Sequence, residues 1–280
     1  MDVKIGARLS FSPDTDFEAK FKQFNEIGLN CCQLCTFNVA SYTDENVAKV
    51  KEASAKYGVE VTAVWAGWDG PCIWNFFDGP ATIGLVPAAY RDSRLRQLKQ
   101  GADFAYKLGV TDIVTHCGVI PENPYDPDFI GVVGALKNLG NYLKARGQYF
   151  LFETGQETPT TILRAIEMIG TGNIGVNLDT ANLILYGKAN TVDSLDVFGK
   201  YVRNTHCKDG LYPTDGHSLG KEVQIGQGKA NFPGIIRKFK ELGYTGPYVI
   251  EREISGDQQI KDIIESRQYI LDLVKEIYGE

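Results

Sequence analysis

Gln148-Tyr149-Phe150-Leu151-Phe152-Glu153 is an apolar run that stops at a carboxylate. Gly175-Val176-Asn177-Leu178-Asp179, Arg203-Asn204-Thr205-His206 and Tyr248-Val249-Ile250-Glu251 repeat the form: a short strand-like stretch, then a group able to carry charge or bind a metal. Working outward, runs of the same kind occupy residues 4–9, 30–37, 60–65 and 112–117, which with 148–153, 175–179, 202–207 and 248–251 makes eight. Near-continuous apolarity means that both faces are covered, as in a parallel sheet packed under helices.

Between the runs lie helical patterns. Ile260, Ile263, Ile264, Leu271, Val274 and Ile277 draw one stripe at three- and four-residue spacing, and Leu95, Leu98, Ala102, Ala105, Tyr106 and Leu108 draw another. Gly28, Gly58, Gly109 and Gly243 stand where helices should stop before the next strand. Eight βα-units in 280 residues fit an α/β fold of the (β/α)₈ TIM-barrel type, whose usual length is roughly 250 residues. No linker or low-complexity tract divides the chain, so the expectation is a single domain over 1–280. A doubly wound open sheet would carry a glycine fingerprint after its first strand, and Arg8-Leu9-Ser10-Phe11-Ser12-Pro13 has none.

Barrel enzymes place their chemistry at the C-terminal ends of the strands. Glu153, Asp179, His206 and Glu251 end the last four runs. Three carboxylates and an imidazole make a hard, oxygen-rich donor set suited to one divalent ion, Mn²⁺, Mg²⁺ or Co²⁺, with Zn²⁺ also accepted. Such an ion keeps open positions for two adjacent oxygens of a hydroxyketone and can polarise its carbonyl as a Lewis acid.

Phe150-Leu151-Phe152-Glu153, Asn177-Leu178-Asp179-Thr180, His206-Cys207-Lys208-Asp209 and Val249-Ile250-Glu251-Arg252 resemble the strand ends of the xylose-isomerase-like TIM-barrel superfamily, the sugar phosphate isomerase/epimerase and AP endonuclease family 2 group. Gly226-Gln227-Gly228-Lys229-Ala230-Asn231-Phe232 is similar to that group's G-x-G-x-x-[DN]-F segment. The resemblance covers essentially the whole chain. It implies that Glu153, Asp179, His206 and Glu251 are metal ligands and that Glu153 and Glu251 form the acid/base pair. It also implies a metal-dependent isomerase or epimerase of a ketose, sugar phosphate or related hydroxyketone, acting through a cis-enediolate. The alternative is a metal-dependent lyase, dehydratase or hydrolase on a keto-sugar or inosose, because the same intermediate expels a β-leaving group. A homodimer or homotetramer rests on the resemblance alone.

The sequence departs from two branches of the group. The endonuclease branch needs extra histidines for three zinc ions, whereas this chain has three histidines in all, His116, His206 and His217. Where that branch carries D-x-x-H, the chain reads Asp179-Thr180-Ala181-Asn182. Ketose 3-epimerases tend to place a His for substrate contact at the Asn182 position, so Asn182 is expected against the substrate here.

Other residues carry two readings each. His116 should point into the barrel mouth, as a substrate or water contact or as a hydrogen-bonded structural residue, with Cys117 turned outward by strand alternation. Lys208 shares the side of His206 and would donate to a substrate oxyanion or phosphate, or be a solvated loop lysine. Arg252 would bind substrate or pair with a carboxylate behind the site. Glu157 would contact a hydroxyl or cap the next helix. Trp68, ahead of Trp65, is the expected flat surface for a sugar ring, Trp65 being the better core residue. His217 lies in a glycine-rich stretch read as a rim. Cys32-Gln33-Leu34-Cys35 matches C-x-x-C but sits inside a strand-like run, as packed thiols.

A formal net charge of −6 argues against a nucleic-acid partner, which needs a concentrated positive footprint. Met1-Asp2-Val3-Lys4-Ile5-Gly6 has no basic and apolar leader pattern, and no run approaches about 20 apolar residues. The expectation is a cytoplasmic protein with reduced cysteines, a small sugar or polyol as substrate, and no nucleic-acid or membrane partner.

Overall fold

A computed structural model describes residues 3–279; Met1, Asp2 and Glu280, which belong to the 1–280 domain span and the N-terminal pattern, lie outside the described residues. The strands are β1 (Ile5–Ser10), β2 (Cys31–Thr36), β3 (Glu60–Ala66), β4 (Asp112–Thr115), β5 (Tyr149–Glu153), β6 (Ile174–Asp179), β7 (Val202–His206), β8 (Asp209–Leu211), β9 (Lys221–Val223) and β10 (Tyr248–Ile250). The helices are α1 (Phe17–Glu26), α2 (Asp44–Tyr57), α3 (Gly79–Thr82), α4 (Ala88–Leu108), α5 (Pro127–Lys144), α6 (Pro159–Ile169), α7 (Asn182–Leu185), α8 (Thr191–Phe198), α9 (Phe232–Leu242) and α10 (Asp257–Tyr278).

Eight strands pair in parallel in the order β10-β1-β2-β3-β4-β5-β6-β7. The circle closes through a parallel bridge between Cys207 and Ile250, with Cys207 N–H donating to Val249 O at 2.6 Å and Glu251 N–H to Cys207 O at 3.0 Å. This is the expected TIM barrel. The remaining strands, β8 and β9, form an antiparallel hairpin, so the stretch read as a glycine-rich rim begins and ends in ordered pairing.

Strand alternation sorts the core into two compartments. Phe150 and Phe152 face the helices in the larger apolar cluster, while Leu151 turns into the barrel with Cys35, Ala63, Trp65 and Val114. Glu153 shares the parity of Leu151 and emerges at the mouth. The stripes predicted on α4 and α10 are buried or partly buried except at Tyr106 and Ile264, both exposed. Each directly follows a buried residue and so lies about 100° round the helix from the core. Gly58, Gly109 and Gly243 end their helices in the left-handed conformation, as expected, at φ of 65°, 82° and 67°.

Two register shifts interrupt the barrel, at Cys32/Gln33 on β2 and Val176/Asn177 on β6. Shifts of this kind re-aim side chains, and here Gln33 Nε2 donates to Asn177 Oδ1 at 3.1 Å across the interior. The long segment between β3 and α4 covers one side of the mouth. Arg94, fully buried, fixes it by donating to the carbonyls of Thr82, Gly84 and Pro71 at 2.8, 2.7 and 2.8 Å.

Candidate active site

Glu153, Asp179 and His206 are the last residues of β5, β6 and β7, and Glu251 immediately follows β10. All four are buried, and each offers a ligand atom such that these atoms lie within 4.8 Å of one another. The sequence-predicted ligand set is therefore brought to one point. His206 Nδ1 faces Glu153 Oε1 at 2.7 Å and Glu251 Oε2 at 3.3 Å. Its other nitrogen, Nε2, is 2.6 Å from Gln33 Oε1. Gln33 Nε2 donates to Asn177 and also to Asn204 Oδ1 at 3.4 Å, which leaves the amide oxygen turned to the imidazole. The ring thus keeps a proton on Nε2 and presents the Nδ1 lone pair to the carboxylates when neutral. Gln33 was missed in the sequence, where it is one polar residue inside a cysteine-rich strand.

Asp179 Oδ1 accepts from the backbone N–H groups of Ala181 and Asn182, both at 2.8 Å. Its Oδ2 has no hydrogen bond directed at it, although Lys208 Nζ stands 3.0 Å away. Lys208 is buried, donates to Glu251 Oε2 at 3.0 Å and lies 3.6 Å from Glu253 Oε1. Arg8 Nη1 approaches Glu251 Oε1 at 3.2 Å, and Arg8 Nη2 donates to Cys35 Sγ at 2.9 Å. Trp65 Nε1 donates to Glu153 Oε2, and His116 Nε2 is 3.6 Å from the same oxygen, with His116 Nδ1 3.1 Å from Gln156 Oε1.

The electrostatics follow from this crowding. Burial and the neighbouring Glu251 and Glu153 push the Asp179 carboxyl up to about 7 despite Lys208. Burial opposes the charge on His206, but Glu153 and Glu251 overcome it and raise the imidazole to about 10. Glu251 is held well below the usual carboxylate range because Lys208, His206 and Arg8 outweigh its burial. Surplus negative charge that draws a proton onto a buried imidazole, beside an orphaned carboxylate oxygen, marks a place fitted for a cation. The residues present fit a divalent ion.

Several secondary expectations are resolved by placement. His116, Asn182 and Lys208 line the pocket above the cluster, with Arg8, Phe37, Trp65 and others. Lys208 is no solvated loop lysine: it donates to Glu251 and stands as an ion-pair partner beside Asp179. Trp68 is a correction: it does not line the pocket, because its ring packs against Cys35, Ala63, Ile83 and Val114 with the Arg94 guanidinium 5.1 Å away. Trp65 and Trp74 form the wall instead. Arg252 is a second correction as a substrate contact, since Nη1 and Nε are held by Glu222 and Asp262 at 2.8 and 2.7 Å, outside the pocket.

Glu157 lies outside the pocket lining too, fully buried, with neither carboxylate oxygen accepting a hydrogen bond. Burial pushes it up to about 8. It does not cap α6, where Thr158 Oγ1 accepts from Thr161 N–H. His217 sits on the rim, stacked on Phe77 at 4.6 Å. All six cysteines are free, Cys32 and Cys35 being buried thiols as expected.

The glycine-rich segment finds its role in Asp209. The Asp209 carboxylate accepts from the N–H groups of Gly226, Gly228 and Ala230 at 2.9, 2.9 and 3.0 Å. A Cβ on Gly228 would stand 2.1 Å from Asp209 Oδ1, which explains the glycine. The segment is a scaffold that anchors the start of α9 behind β7.

The class defined by fold and site is a TIM barrel whose mouth gathers a strand-end Glu-Asp-His-Glu cluster that could hold a metal ion. Residues 21–273 match the family described as xylose isomerase-like TIM barrel, and the chain belongs to that family. A xylose isomerase domain protein from Planctomyces limnophilus is 32% identical, with TM-score 0.92 over 99% of each chain. A D-tagatose 3-epimerase-like protein shares 19% identity and TM-score 0.74 over 98% of this chain and 99% of that one. A xylose isomerase-like TIM barrel protein from Mycobacterium smegmatis, solved in complex with magnesium, shares 18% identity and TM-score 0.73 over 99% and 98%. The last two show the common fold. Among the described residues no helix is long and apolar enough to cross a membrane.

Proposed function

We propose that the protein is a divalent-metal-dependent isomerase or epimerase of a ketose or related hydroxyketone, working through a cis-enediolate. The observation that carries this reading is the convergence of Glu153, Asp179, His206 and Glu251, with ligand atoms within 4.8 Å of one another, at the mouth of the barrel. These four residues would hold one ion per chain. Bound there, a divalent ion supplies Lewis-acid polarisation of the substrate carbonyl and stabilises the charge that develops on deprotonation.

The protein's own groups do the rest. Glu153 and Glu251 reach the cluster from β5 and from the end of β10, on either side of Asp179 and His206. Both are kept in the carboxylate form, the form that abstracts a proton. Trp65 fixes one oxygen of Glu153, and Arg8 and Lys208 fix Glu251. One carboxylate takes the proton next to the carbonyl, and the other returns a proton to the opposite face or the neighbouring carbon. His116, Asn182 and Lys208 supply donors to the substrate's oxygens from the pocket wall.

The test is Glu153→Gln and Glu251→Gln, assayed in D₂O with metal occupancy measured in each variant. A positioned acid/base group contributes about 10²–10⁴-fold, so each variant should lose turnover in that range, and wild type should place solvent deuterium beside the carbonyl. Unchanged turnover in both metal-loaded variants would remove the two glutamates from the chemistry. A dehydrated or cleaved product would select the lyase or hydrolase reading.

A further inference from the structure

The pocket has two levels of different chemistry. Its floor is the acidic cluster with Arg8 and Lys208. Its upper wall is aromatic and open to solvent, with Phe37 at 37% and Trp74 at 41% exposure. These rings are continuous with the floor: Phe37 packs on Trp65 at 4.9 Å, and Trp74 on His116 at 5.1 Å. Ile73, Phe77 and Tyr212, on the same mouth loops, are exposed as well. Exposed aromatic rings that line the mouth of a pocket, as Phe37 and Trp74 do, mark a binding surface rather than a solvent-facing accident. It is also pre-formed, because buried Arg94 ties down the loop that carries Trp74.

Charge narrows the occupant. Arg8 and Lys208 are the cations that line the pocket, and each is already engaged by a carboxylate. Glu153, Glu251 and Glu253 line it too, and Arg252 is turned away to Glu222 and Asp262. A phosphate or carboxylate reaching the upper level would meet carboxylates and no free cation. The C–H faces of a sugar ring, or a flat aglycone, fit exposed aromatic rings without needing charge.

We propose that the natural substrate is an uncharged hydroxyketone sugar joined to a second ring, with the ketone-bearing sugar on the acidic floor and the second ring stacked on Phe37 and Trp74. This rests on the proposed function for the floor; the upper level is argued independently of it.

The chain's three tryptophans, Trp65, Trp68 and Trp74, all line the pocket or stand directly behind it, so intrinsic fluorescence reports occupancy without turnover. Titration with D-glucose, glucose 6-phosphate, cellobiose and phenyl β-D-glucoside in Mg²⁺, followed by fluorescence and by calorimetry, reads the preference. Stacking on two aromatic rings predicts that the two glycosides bind at least about tenfold tighter than glucose, with glucose 6-phosphate no tighter. Trp74→Ala and Phe37→Ala should each pull that ratio toward one, and Trp74→Phe should keep most of it.

Equal binding of glucose and the glycosides overturns the proposal, as does salt-sensitive tighter binding of glucose 6-phosphate, a ratio that survives both alanine variants, or metal uptake without glycoside binding. Rim residues covered by a second copy of the chain would appear as a ratio of one with Phe37→Ala lowering the oligomeric state, which also overturns it. In each of these cases turnover of a plain ketose would leave the proposed function standing, whereas absence of metal uptake removes that function instead.

Discussion

Gln33→Leu separates the orientation of His206 from its presence. The substitution keeps approximate volume but removes the acceptor 2.6 Å from His206 Nε2 and the donor to Asn177 and Asn204. Asn204 Oδ1 still accepts from Thr205 N–H at 3.0 Å, so the groups newly orphaned are the imidazole N–H and Asn177 Oδ1. At about 1–3 kcal/mol for each of these two buried groups left unpaired, the metal-free protein should lose about 2–6 kcal/mol of stability. A freed imidazole can turn or change tautomer, and loss of such an outer partner typically lowers metal affinity 10–100-fold, about 1.4–2.7 kcal/mol. Calorimetric titration with Mn²⁺, well below both unfolding transitions, measures the second effect apart from the first. A variant that is destabilised but binds Mn²⁺ as tightly as wild type would refute the orienting role and leave Gln33 as packing alone.

Elemental analysis after Mn²⁺ loading should give one ion per chain, falling far below one in His206→Ala with the barrel still folded, because the mouth is separable from the packed core. Arg94→Ala removes three carbonyl contacts from a fully buried guanidinium; it should cost about 3 kcal/mol in chemical denaturation and expose the β3–α4 segment to limited proteolysis. Glu157 is raised from 4.5 to about 8 by burial, so the folded chain holds a proton there that the unfolded chain releases. Its neutral form costs little below about pH 4.5, and stability falls as pH climbs from there to about 8. Glu157→Gln should abolish that part of the slope and be the more stable protein at pH 8; a parallel pair of stability–pH curves would show that the carboxyl ionises freely.

The barrel was legible because eight apolar runs and the glycines at helix ends repeat a unit that folds one way. The convergence of the strand-end groups was legible for the same reason, since a strand end fixes both depth and direction for Glu153, Asp179 and His206. What the sequence hid lies between distant strands. Gln33 acquires meaning only when β2 faces β6 and β7 across the barrel, and Arg94 only when the loop before it folds back over α4. Trp65 and Trp68 were ranked in the wrong order for the pocket because loop geometry, not strand parity, decides where Trp68 points. Arg252 looked available until Glu222, on the hairpin after β7, reached it.

The barrel wall is joined at β7 and β10 by a single bridge, Cys207 to Ile250, whereas its other neighbours share longer ladders. His206 stands on one side of that joint and Glu251 on the other. An ion gripped by both would rivet the weakest point of the cylinder, so ligand loss and mechanical opening should begin at the same place. Amide exchange at Val249, Glu251 and Cys207 would then rise first when metal is stripped, well before the ladders around β2 and β3 respond.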